Sequence, residues 1–166
     1  MTRYLTAAIL GHMGEYSFTV HIEATPQAVF DLFTDIDRMQ EWVGGVTRIT
    51  DVSGPRGTAG SSYTVWFGRM RSPTEVLEVE RPRLYKSRFG HSVLRGEMEA
   101  TFAPEGDGTT MTERFRTEGL IPAISARIFA TGSWKGSFRG ELETFARIAE
   151  REAGVDRSAS GPVAPG

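Results

Sequence analysis

Between Tyr16 and Val46 the chain runs YSFTVHIEATPQAVFDLFTDIDRMQEWVGGV, and few folds accommodate that order of signals. Tyr16, Phe18, Val20 and Ile22 alternate with Ser17, Thr19, His21 and Glu23, a period of two that predicts a half-buried strand. Thr25 suits a helix N-cap, and Pro26 suits the first helical position, where its missing N–H costs nothing. Thr34 or Asp35 then opens a second short helix over Ile36–Trp42, which Gly44-Gly45 ends. A strand followed at once by two short helices leaves the strand's apolar face waiting for cover from later in the chain.

The rest of the sequence supplies a meander and a lid. Val46–Val52, Ser61–Met70, Glu75–Glu80, Leu84–Phe89, Val93–Phe102 and Thr109–Glu118 read as strands, making seven with the first. Pro73 fits only an edge or the start of a strand, and Arg81-Pro82 and Gly90-His91-Ser92 mark turns. From about Pro122 to Glu152, Ile121, Ile124, Ile128, Phe138, Leu142, Phe145 and Ile148 recur at helical spacing, so one face of a long helix is apolar. The expectation is an α+β fold, a seven-stranded antiparallel sheet curled around a long C-terminal helix. Gly132, Gly136 and Gly140 recur along that helix, which suits close packing on the sheet or a flexible segment that admits a ligand. We expect an N-terminal extension over 1–13, one folded domain over 14–153, and a disordered Pro/Gly-rich tail over 154–166.

Composition removes several classes of function. A formal net charge of -2 with 24% charged residues gives no basic field for nucleic acid. The chain has no cysteine, and His12, His21 and His91 lack metal-ligand spacing, so neither a metal nor any other cofactor is expected. The apolar run Tyr4–Leu10 is too short to span a bilayer. A cytoplasmic protein without an integral membrane segment is expected, and the sequence does not specify its oligomeric state.

The segments DLFTDIDRMQEWVGGV and VLEVERPRLY, in this element order, resemble the SRPBCC superfamily of START-like or Bet v 1-like helix-grip proteins. The likeness is to its polyketide cyclase/dehydratase and lipid-transport branch and covers roughly Tyr16–Glu152. It implies an internal cavity that holds a hydrophobic small molecule: a lipid, an isoprenoid or a polyketide-like compound. It also implies alternatives: a polyketide aromatase/cyclase or dehydratase, a quinone-binding protein, or a protein-interaction module.

Strand parity selects candidate lining residues. Tyr63, Val65, Phe67, Leu77, Val79, Phe89, Met98, Met111 and Phe115 are expected to face inward, joined by Ile124, Ile128 and Trp134 from the helix, with Trp42 at the mouth. Glu113 shares a face with Met111 and Phe115, where burial would favour its neutral form and fit it for proton transfer. Tyr85 could offer a phenol and Arg69 a cationic anchor, so Glu113, Tyr85 and Arg69 are the candidate catalytic group. The competing reading makes Glu113 an outer-face partner of a neighbouring arginine.

Overall fold

A computed structural model of the chain describes residues 6–10, 15–90, 95–118 and 133–159. Its elements are β1 (Thr6–Leu10), β2 (Glu15–Ile22), α1 (Pro26–Thr34), a 3-10 helix (Ile36–Glu41), β3 (Val46–Ser53), β4 (Ser62–Phe67), β5 (Met70–Glu80), β6 (Leu84–Gly90), β7 (Arg95–Glu105), β8 (Gly108–Glu118) and α2 (Ser133–Ala159). The seven expected strands form one curved antiparallel sheet, and β1 adds a further edge strand by pairing with β2. The spatial order is β1-β2-β8-β7-β6-β5-β4-β3, so the early strand β2 lies beside the last strand β8. The hydroxyls of Thr19 and Thr112, 93 positions apart, meet across that junction at 3.0 Å.

Local chemistry accounts for the two short helices. Thr25 Oγ1 accepts the Ala28 N–H at 3.3 Å, and Pro26 occupies the first turn of α1. Asp35 caps the next element by accepting the Asp37 N–H at 3.2 Å, and that element is a 3-10 helix, not an α-helix. Val29, Phe30 and Leu32 of α1 are buried against the sheet.

Three boundaries differ from expectation. The strand foreseen over Ser61–Met70 breaks at Gly68, whose φ of 62 is the left-handed turn conformation that glycine adopts without strain. β5 then begins at Met70 and passes through Pro73, which pairs with Thr64 of β4. Pairing with β6 starts only at Thr74, so Pro73 sits where its missing N–H is tolerated. At the far end, α2 continues to Ala159, past the point where composition suggests a tail; residues 160–166 lie outside the described residues.

Leu142, Phe145, Ala146, Ile148 and Ala149 give α2 its buried face, which packs on β2 and α1. A Cβ added at Gly140 would meet nothing within 4 Å, so close packing does not explain glycine there. The expected helix start near Pro122, with Ile121, Ile124, Ile128 and Gly132, lies outside the described residues.

Candidate functional site on the inner face of the sheet

Paired residues of an antiparallel sheet point to the same side, so the register lays out the inner face in rows. One row runs Tyr85, Ala100, Glu113, Phe18 across β6, β7, β8 and β2. The next runs Val76, Ser87, Met98, Phe115, Tyr16, and a third Tyr63, Thr74, Phe89, Gly96, Thr117. Phe138 of α2 stacks on Phe18 at 5.5 Å and meets the edge of Phe115 at 4.9 Å. Phe89 touches Phe115 from the other side at 6.4 Å. Glu113 is therefore set in an aromatic wall.

Only 8% of Glu113 is exposed, and among the described residues no hydrogen-bond partner reaches its carboxyl. Burial, and then the charge of Glu141 on α2, pushes its pKa up to about 8. A carboxyl in such a site is mostly protonated at neutral pH and still able to give up its proton, the range useful to an acid or base. The arginines flanking it in sequence point to the other face. Arg114 lies 3.9 Å from Glu99, and Arg116 lies 3.9 Å from Glu15.

Tyr85, in the same row as Glu113, is two strands away, roughly 10 Å between backbones. Ala100 stands between them and fills little of the gap. The Tyr85 hydroxyl lies 3.3 Å from that of Tyr63, and burial raises both phenols above their ordinary pKa. The Tyr85 ring rests edge-on against Phe33 at 5.7 Å.

The other candidates divide. Val65 and Met111 are buried in the core, Phe67, Met98 and Phe115 are half-buried and packed against it, and half-buried Phe89 meets Phe115. Trp42 caps the 3-10 helix, buried edge-on against Phe145 at 5.1 Å. Beside it a cleft of about 410 Å³ is bordered by Gly44, Gly140 and Glu141, where Glu141 Oε1 accepts the Gly44 N–H at 2.9 Å. Arg69 sits in the exposed β4–β5 turn, because the strand ends two residues before it, and so cannot anchor a ligand inside. Leu77 is displaced by a register shift between Val76 and Glu78: Val76 takes the inward place opposite Ser87. Ile124, Ile128 and His91 are outside the described residues, as is the side chain of Trp134.

Sequence reasoning missed the small hydroxyls. Ser72 and Thr74 are buried on the inner face, in line with Val76, as alternation read backward from Val76 would have revealed. Glu141 was also missed, although it lies three residues beyond Phe138 and four before Phe145 on the buried stripe. A second cleft, of about 550 Å³, is bordered mostly by outer-face positions, among them Ser62, Pro73, Glu75, Arg88 and Arg95, with Tyr63, Thr74, Phe89 and Gly96 beside them; no residue of α2 borders it among the described residues.

A curved antiparallel sheet with two short helices after an early strand and a long C-terminal helix packed against it is the helix-grip arrangement. The chain belongs to the family described as polyketide cyclase / dehydrase and lipid transport, whose model matches residues 13–150. Among solved structures it is similar to a protein from Arthrobacter aurescens, 12% identical with a TM-score of 0.69, over 88% of this chain and 91% of that one. DynU16, a putative protein in the dynemicin biosynthetic locus, is 21% identical with a TM-score of 0.63, over 84% of this chain and 48% of that one. CalU16 from Micromonospora echinospora is 16% identical with a TM-score of 0.53, over 93% and 96% of the two chains. These likenesses are of fold. No curated protein matches the sequence.

Proposed function

We propose that the protein binds one hydrophobic small molecule, a lipid, isoprenoid or polyketide-like compound, between the inner face of the sheet and α2. The observation that carries this reading is the set of half-buried Phe67, Met98 and Phe115 on the inner face, an apolar surface that the core does not fully cover. Phe89 adjoins Phe115 at 6.4 Å and is also half-buried, which extends that surface and supports a ligand instead of a fully filled core. Titration with Nile red, a neutral apolar dye, tests it. We expect saturable one-to-one emission, lost in a Phe89→Asp variant that keeps its far-UV spectrum; absence of saturable binding to the native protein would sink the reading.

Glu113 favours a second reading, in which the bound molecule is also a substrate for cyclase or dehydratase chemistry. Its partly protonated state suits proton transfer, and the Tyr63–Tyr85 hydroxyl pair on the same wall suits a ligand oxygen. Under this reading Glu113→Gln lowers turnover of a poly-β-ketone by about 100-fold or more, with little change in affinity. Product formation undiminished in that variant would remove Glu113 from the chemistry.

A further inference from the structure

The inner face changes chemistry from one side of the sheet to the other. Its β4–β6 side carries the hydroxyls of Tyr63 from β4, Ser72 and Thr74 from β5, and Tyr85 and Ser87 from β6. None of these residues is more than 8% exposed. The register sets them on one wall: Tyr63 stands opposite Thr74, Ser72 opposite Val65, and Ser87 opposite Val76. The side built from β8, β2 and α2 is aromatic instead. Phe115, Phe18 and Phe138 pack on one another there, with Glu113 opposite Phe18.

The hydroxyls have more hydrogen-bonding capacity than they spend on each other. Those of Tyr63 and Tyr85 lie 3.3 Å apart, so one donates to the other and the second keeps its own proton. Burial holds both phenols protonated at neutral pH. Thr74 donates to the Ser72 carbonyl at 3.4 Å. The side-chain hydroxyls of Ser72 and Ser87 find no partner among the described residues. Buried polar groups in folded proteins are almost always satisfied, by protein, by water or by a ligand. A bound molecule whose oxygens faced this side would satisfy several at once.

We propose that β4–β6 form a hydrogen-bonding subsite for a flat hydrophobe that carries hydroxyl or carbonyl oxygens along one edge. That edge turns toward Ser72, Ser87 and the tyrosine pair, and the bare hydrocarbon edge lies against Phe115 and Phe138. The wall then orients its ligand as well as holding it, which a plain alkyl chain would not exploit. This deepens the binding reading above and rests on it.

Naphthalene and two of its dihydroxy derivatives isolate edge placement, since all three share one skeleton and fluoresce. 1,8-Dihydroxynaphthalene has both oxygens on one edge, and 1,5-dihydroxynaphthalene has the same two on opposite edges. In fluorescence titration the 1,8 isomer should bind about 10-fold more tightly than either the 1,5 isomer or naphthalene, the worth of two modest hydrogen bonds. A variant carrying Ser72→Ala and Ser87→Ala, which loses two hydroxyls and little volume, should reduce that preference below about 3-fold. Equal affinity for the two isomers overturns the proposal, as does a preference undiminished in the double variant. If none of the three binds while Nile red does, the subsite falls and the binding reading stands. If Nile red fails as well, the binding reading itself falls.

Discussion

Glu97 on β7 and Glu113 on β8 hang from neighbouring strands, from opposite faces of one sheet. On the outer face Arg88 and then Lys86 hold Glu97 below the ordinary carboxylate range. On the inner face aromatic walls and Glu141 drive Glu113 upward. The backbone is the same and the residue type is the same, so the difference comes from surroundings alone. The two faces also answer pH with opposite signs. Glu97, with its pKa depressed, contributes stability that is lost as pH falls through its folded value. Glu113, raised from 4.5 to about 8, leaves the fold most stable below its unfolded value and costs stability as pH rises toward the folded one.

The sharpest way to break the contrast is to open the inner wall. Phe18→Ala removes a buried ring stacked with Phe138 and should destabilise the fold by about 3–5 kcal/mol in urea denaturation. It should also let water reach Glu113 and return its titration toward 4.5, read by carboxyl carbon NMR. Glu113→Gln removes the inner charge and keeps the shape. It should stabilise the protein by roughly 3 kcal/mol at pH 7 and by almost nothing near pH 4, since each pH unit between the two pKa values is worth about 1.4 kcal/mol. A stability difference independent of pH would refute the assignment. Glu97→Gln on the outer face should change stability by less than about 1 kcal/mol at any pH, because partly exposed ion pairs are screened by water and salt.

Glu113 was legible in the sequence, while other inner-face positions were not. Alternation put Glu113 with Met111 and Phe115, and β8 runs from Gly108 to Glu118 without a register shift, so parity held. On β5 the same rule failed at Leu77, because an irregularity between Val76 and Glu78 advances the chain by one residue relative to β6. Arg69 failed for a related reason: a glycine turn ended the strand that parity assumed to continue. Thr25, Pro26 and Asp35 announced their helix starts because capping is local chemistry. The approach of Glu141 to Glu113 had no local signature, since it depends on how α2 crosses the sheet, which spacing along one helix does not specify.

The adjacency of β2 and β8 has a kinetic consequence. Thr19 and Thr112 bond across 93 positions, so the strand made early waits for one made late before the middle of the sheet closes. Contacts of such long sequence separation must be bought with loop entropy before they return any energy, and folds rich in them assemble slowly. During synthesis the apolar stripe of Phe18, Val20 and Ile22 stands without its β8 neighbour until Thr109–Arg116 has left the ribosome. The wall around Glu113 is thus among the last parts completed, and a nascent chain stalled before β8 would expose that stripe to chaperones or to other chains.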